Sequence, residues 1–276
     1  MPDDETSIGT ARPPADNPAI HLLDAIETEI LPRLMLVHTN DRSEKDAREY
    51  KSLKDRREAQ DEFLDLMIDH SVTSGHEFVD NLVREGISIE SIYVDLLAPT
   101  ARRMGELWEE DIRNFAEVTI GLCRLHEVLR HNSLSPAVRQ VFPAPETPSI
   151  LLSTACGDQH VFGVIMVAEF FIKEGWRVTC EPGAKVDELL RIVSSTTFDV
   201  VGLSVARSHE ANDISGVIGQ LRTTSRNKDI KVIIGGALVG RDESIAGQVG
   251  ADAASTDAST APTTALDLLA EARVGC

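Results

Sequence analysis

The sequence predicts an α/β protein in two parts, an antiparallel helical bundle followed by a doubly wound parallel sheet of five strands. Three observations predict it. Apolar residues recur every three or four positions through residues 61–135, the helical period. From residue 149 onward short apolar runs alternate with helical stripes, the pattern of strand–helix crossovers onto a parallel sheet. Between them residues 136–148, PAVRQVFPAPETP, are rich in proline and read as a linker. A chain of 276 residues is long enough, at about 150 residues per domain, for about two domains.

The elements follow in order. Residues 1–60 form an acidic, partly disordered extension. It opens MPDDETSIGTARPPADNP, carries one apolar stripe from Ala19 to Val37 that Pro32 should bend, and continues as a charged, solvated stretch from Asp41 to Gln60. The bundle begins with Phe63, Leu64, Met67, Ile68, Val72, Phe78, Val79, Leu82 and Val83 at helical spacing. Gly86 stops that pattern, Ile89–Leu107 resumes it, and Phe115, Val118, Leu122, Leu125 and Leu129 give a last stripe. About four helices with short connections make an antiparallel bundle.

In the second half the expected strands are Ile150–Ala155, Arg177–Cys180, Val200–Val205, Lys231–Ile234 and Asp252–Ala254. The expected helices are Val161–Glu174, Val186–Val193, Ile214–Arg222, Glu243–Val249 and Thr264–Ala272. The alternation specifies a flavodoxin-like, Rossmann-type domain over 149–276, with its ligand at the carboxyl ends of the strands.

Composition removes several function classes. With 27 Lys and Arg against 45 Asp and Glu the net charge is −18, a field that repels nucleic-acid backbones and anionic lipid. The first 60 residues hold no recognition-helix pattern, so strong direct nucleic-acid binding is not expected. The four cysteines, Cys123, Cys156, Cys180 and Cys276, form no CxxC pair, which fits a reducing cytoplasm and neither a zinc ribbon nor a disulfide framework. The N-terminus lacks the basic start and apolar run of a signal peptide. The most apolar stretch, Val161–Ile172, is interrupted by Glu169 and is far short of the roughly 20 residues a membrane span needs; it reads as a buried helix.

Chemistry concentrates in three loops at the predicted strand ends. The first, Gly157-Asp158-Gln159-His160-Val161-Phe162-Gly163, sets a carboxylate two residues before an imidazole. Such a pair either orients a catalytic base or strengthens a metal ligand, and Gly163 allows close approach of a large ligand. No GxGxxG, no GxxxxGK[ST] and no second His or Cys at zinc-ligand spacing accompanies it. A single-histidine site points to a metal whose other ligands come from a cofactor. The second loop, Leu203-Ser204-Val205-Ala206-Arg207, offers a hydroxyl for a heteroaromatic nitrogen. The third, Ile234-Gly235-Gly236-Ala237, removes two side chains where a flat ring could slide in. No second catalytic constellation is visible, and an enzyme is not expected.

The set Asp158-x-His160-x-x-Gly163, then Ser204-x-Ala206, then Gly235-Gly236 resembles the cobalamin-binding domain signature DxHxxG, SxL, GG. The resemblance implies that His160 is the lower axial cobalt ligand and that Asp158 hydrogen-bonds it. Gly163, Ser204, Gly235 and Gly236 would then line the slot for the displaced nucleotide tail. Ala206 departs from the usual Leu and loosens that slot. The helical half resembles the cap of cobalamin methyltransferases and photoreceptors in Met104-Gly105-Glu106-Leu107-Trp108 and the Phe115–Leu129 helix, which implies that Trp108 covers the upper corrin face. Light-sensing repressors carry Glu-His nine residues beyond that Trp, where this chain has Val118-Thr119. His126 lies 18 positions from Trp108, about 27 Å along one helix, and is read as structural, as are His70 and His76; Trp176 is read as packing.

The segments GDQHVFGVIM and LWEEDIRNFAEVTIGLCRLHEVLR are similar to the AerR/PpaA group of cobalamin-binding antirepressors of photosynthetic proteobacteria. That likeness implies a regulator that binds adenosylcobalamin or hydroxocobalamin, responds to light or redox state and contacts a PpsR/CrtJ-type repressor. Loss of the upper axial group would open space under Trp108 and let the bundle shift. The alternative is a corrinoid methyl carrier of a methyltransferase system, although carriers usually read DxHxxGKN where this chain has Gly163-Val164-Ile165-Met166. A storage module is the plainest third reading, and a homo-oligomer is compatible with each.

Overall fold

Helix α1 (Arg57–Asp69) buries Phe63, Met67 and Ile68 on one side, the stripe that opens the bundle. The computed structural model describes residues 57–133, 147–155, 158–206 and 211–274. The expected helix at Ala19–Val37, nearly all of the N-terminal extension and most of the 136–148 linker lie outside the described residues, as do Gly157 and Arg207. Residues Lys51–Cys276 form one compact unit.

Helix α2 (Val72–Arg84) starts at Ser71, whose hydroxyl accepts the Ser74 N–H, and the chain leaves it through Gly86 at φ +89°, a conformation that costs glycine little. Ser88 caps α3 (Ile89–Ile92) in the same way. A π-helical segment (Tyr93–Leu97) and α4 (Ala98–Glu109) continue α3 without leaving helical backbone angles. The expected helix over Ile89–Leu107 is therefore one rod with an unforeseen wide turn. Pro99 has no N–H to give the Asp95 carbonyl four residues back; the Gln60 amide of α1 donates to that carbonyl instead, at 2.7 Å. The rod turns back at Asp111, at φ 55°. Helix α5 (Phe115–His131) then begins with a reciprocal capping box between Asn114 and Glu117.

The second half is a five-stranded sheet of β1 (Ser149–Thr154), β2 (Arg177–Glu181), β3 (Val200–Ser204), β4 (Lys231–Gly235) and β5 (Ala253–Ser255), in the order β2-β1-β3-β4-β5. All four pairings are parallel, the doubly wound topology expected from the alternation. The crossover helices are α6 (Val161–Lys173), α7 (Val186–Ser195), α8 (Ala211–Thr224) and α9 (Ile245–Val249), with α10 (Ala261–Val274) closing the domain. Helices α8 and α10 each begin three residues before the expected start. In α10 Pro262 falls in the first turn, where its missing N–H has no helical acceptor to serve.

Helix α6 joins the two halves. Its near-continuous apolar sequence faces two ways: Val164, Ala168 and Phe171 pack on the sheet beside Trp176, and Phe162, Met166 and Phe170 enter the bundle core with Phe63, Met104 and Leu125. The expectation of a buried helix holds, and Trp176 packs edge-on against Phe171 inside the core. Glu169, the charge that interrupts the stripe, is buried and accepts the Ser133 hydroxyl at 2.7 Å. Lys173 pairs with Glu90 across the same junction.

Candidate cofactor-binding site

The carboxyl ends of four strands lie in one row: Thr154 pairs with Ser204, Ser204 with Gly235 and Gly235 with Ser255. Strand β2 lies on one side of β1 and β3 on the other, so the chain's direction of winding reverses at β1, where doubly wound sheets leave a crevice. Above this row and beneath α4 and α5 is a cavity of about 1300 Å³. All seven residues expected at the site line it: Trp108, Asp158, His160, Gly163, Ser204, Gly235 and Gly236.

Thr154 holds the first loop. Its hydroxyl donates to the Asp158 carbonyl at 2.6 Å and accepts the Gly183 N–H at 3.0 Å, tying the loop after β1 to the loop after β2. The Asp158 side chain is only 7% exposed, and its Oδ1 lies 2.6 Å from His160 Nδ1. A carboxylate can only accept, so Nδ1 carries the proton, and in the neutral ring Nε2 keeps a free lone pair. The His160 side chain is 59% exposed and could hold a metal through that nitrogen. Among the described residues no three potential metal-ligating side chains cluster, so the remaining ligands of such a metal would have to come from elsewhere.

The glycines have different physical grounds. At Gly236, with φ +98°, a Cβ would sit 2.6 Å from the Val205 carbonyl oxygen and 2.8 Å from its nitrogen. Only glycine fits that turn. At Gly235 a Cβ would come 3.0 Å from the Ser255 carbonyl oxygen. At Gly163 it would meet nothing within 4 Å, and the same is true of Gly105 on α4. Both line the cavity, so their missing side chains leave open volume and relieve no clash within the protein.

The bundle supplies the roof. Trp108 is 49% exposed and Phe115 71%, with their rings edge to face at 6.5 Å. A Trp serving only as core between helices would be covered; this one stands over open space. Beside it Ile112 is 59% exposed. Thr119, Leu122 and His126 continue the cavity-facing side of α5.

His126 corrects an expectation. The chain reverses between α4 and α5, so separation along a single helix does not apply, and His126 shares one cavity with Trp108 and His160. Its ring packs on Phe162 at 5.1 Å, its Nε2 is buried without a partner among the described residues, and burial, aided by the nearby Arg130 charge, holds its pKa below the usual value. Thr154, Gly105, Phe115, Arg102 and Arg241 also belong to the site and were not singled out by sequence. The position of Thr154 as the last residue of a buried strand is the one local signal that could have marked it.

A doubly wound domain with a histidine-bearing loop, a glycine-floored crevice and an aromatic helical roof is the architecture of a protein that clasps a large flat cofactor between two layers. Residues 148–266 match the B12 binding domain family, and residues 59–122 match a second family model of the same description. Residues 148–266 thus form a B12 binding domain, and its cofactor is cobalamin. It is 26% identical over 175 residues to an uncharacterized 20.5 kDa protein in the bchF–crtJ intergenic region of Rhodobacter capsulatus, an alignment covering 63% of this chain and 89% of that protein. Its fold is similar to that of the monomethylamine corrinoid protein of Methanosarcina barkeri, with a TM-score of 0.59 at 17% identity, over 77% of this chain and 99% of the other. The exposed imidazole nitrogen, the open volume at Gly163 and Gly105 and the uncovered indole fit a corrin ring lying between the halves. No helix among the described residues is long and apolar enough to cross a membrane.

Proposed function

We propose that the chain is a cobalamin-dependent, light- or redox-responsive regulator that acts as an antirepressor on a PpsR/CrtJ-type repressor through protein contact. In this reading His160 would hold the cobalt through Nε2, Asp158 would fix its tautomer, and Gly163, Ser204, Gly235 and Gly236 would admit the nucleotide tail. The observation that carries it is the likeness to the protein from the bchF–crtJ region, which extends over most of that relative. The exposed tip of the α4–α5 turn, Trp108, Ile112 and Phe115, supports it. These side chains have little protein to rest on, so their packing depends on what fills the cavity, and a change in the cavity becomes a change in the roof. When bound, adenosylcobalamin would supply a light-cleavable cobalt–carbon bond. Trp108, in the cavity's roof, would pack on the cofactor, and the bundle rides on α6 through Phe162, Met166 and Phe170.

The test is the affinity of the adenosylcobalamin-loaded protein for such a repressor, measured in the dark and after illumination. A light-dependent change of tenfold or so, about 1.4 kcal/mol of coupling, is expected. Equal affinities reject the regulatory reading. Co-purification of a methyltransferase, with transfer from a methyl donor, supports the methyl-carrier alternative, which requires the same cradle.

A further inference from the structure

Cobalamin carries one anionic group, the phosphodiester that joins its corrin to the nucleotide tail; its corrin side chains are neutral amides. This chain has an excess of acidic residues, so a phosphodiester entering the cavity needs a local cation to offset the general repulsion. Two arginines line the cavity, Arg102 on α4 and Arg241 in the loop after β4. Neither side chain is paired with a carboxylate among the described residues, whereas Arg103, Arg113, Arg191 and Arg222 are. The two differ in where they stand. Arg102 is on the roof helix, two turns before Trp108. Arg241 lies five residues beyond Gly236, in the loop that follows the Gly235-Gly236 floor.

The loop that carries Arg241 is pinned. Leu238 donates its N–H to the Val205 carbonyl at 3.1 Å, Gly240 to the Gly236 carbonyl at 3.0 Å, and Arg241 to the Leu238 carbonyl at 3.1 Å. Leu238 and Val239 are buried in the core of the sheet domain. Arg241 is exposed and lines the same cavity as Ser204, Gly235 and Gly236, so its side chain extends into that space from a fixed backbone.

Resting on the assignment of that crevice to the nucleotide tail, we propose that Arg241 recognises the phosphodiester of cobalamin and makes the protein select complete cobalamin over corrinoids that lack the tail. A planar guanidinium meets two phosphate oxygens at once, a geometry that lysine does not reproduce.

The experiment titrates hydroxocobalamin and diaquocobinamide, which has the corrin but neither phosphate nor nucleotide, into the full-length wild type, Arg241→Gln, Arg241→Lys and Arg102→Gln. Wild type should prefer cobalamin. Arg241→Gln should bind cobalamin about tenfold more weakly and leave cobinamide binding within about twofold, which also shows that the variant is folded. Arg241→Lys should recover part of the loss, and Arg102→Gln should keep the preference. Equal losses for both corrinoids in Arg241→Gln, no loss for either, or loss of the preference in Arg102→Gln overturns the proposal while leaving cobalamin binding intact. Failure of the wild type to bind either corrinoid removes the cofactor assignment itself, and the proposal with it.

Discussion

Oδ1 of Asp158 accepts two hydrogen bonds from His160, from the ring Nδ1 at 2.6 Å and from the backbone N–H at 3.2 Å. One carboxylate oxygen therefore sets both the tautomer and the orientation of the imidazole. An amide in its place could present either an acceptor or a donor to Nδ1. Asp158→Asn should weaken cobalamin binding about 10- to 100-fold with no change in thermal unfolding of the apoprotein. His160→Ala should abolish the histidine-dependent features of the bound cofactor's absorbance spectrum. Both are read by absorbance titration.

Two glycines of one site should respond oppositely to alanine. Gly236→Ala puts a Cβ against the Val205 backbone at a positive φ and should cost about 2 kcal/mol or more of stability. Gly163→Ala adds its methyl to open space on a helix, where alanine is favoured by up to about 1 kcal/mol. It should therefore keep or raise the melting temperature while lowering cobalamin affinity by about tenfold through overpacking against the cofactor. Thermal unfolding and cofactor titration of the same two variants decide this.

The pairing of Glu90 with Lys173 should show in acid. Burial pushes the Glu90 carboxyl up, but the Lys173 hydrogen bond and charge, with contacts to its own backbone and Ser88, outweigh it and hold the pKa below the ordinary 4.5. The unfolded chain then binds the proton more readily than the native one. The stabilisation is complete above pH 4.5 and is lost as pH falls through the native value. In Lys173→Met the hydrogen bond and charge of Lys173 are gone while burial and the contacts to the backbone and Ser88 remain, so acidification over that range costs less of Glu90's share. At pH 7 the variant should lose on the order of 1 kcal/mol. Denaturant unfolding as a function of pH, wild type against variant, tests both statements.

Gln60 and Pro99 should be coupled. Removing the Gln60 amide leaves the Asp95 carbonyl, which Pro99 cannot serve, without its 2.7 Å donor. Gln60→Ala should cost about 1 kcal/mol. In a Pro99→Ala background, where a backbone N–H is restored, it should cost markedly less; a double-mutant cycle by chemical denaturation measures the difference.

The architecture was legible because it rests on local periodicity. Strand β1, fully buried, and β3, buried up to its last residue, read as mostly apolar runs, and the crossover helices between them allow essentially one handedness. The wide turn at Tyr93–Leu97 was not, because its apolar spacing continues through it and the missing hydrogen bond is answered by a residue more than thirty positions away. The nearness of His126 to the cavity was not legible either, because the chain reverses between α4 and α5 and a length along one helix does not describe it.

What the sequence by itself determined is the order of elements, the sheet topology and the three loops, since helix and strand periods and the Asp158–His160 spacing are written within a few residues of each other. What only the tertiary structure decided is which side chains share the space above the strand ends. Trp108 over Phe115, His126 against Phe162, Thr154 bracing Asp158 and Arg241 lining the same cavity as Arg102 depend on α4, α5 and four strand termini converging. No local pattern encodes that convergence, because it is set by how the bundle seats its core on the outer face of α6.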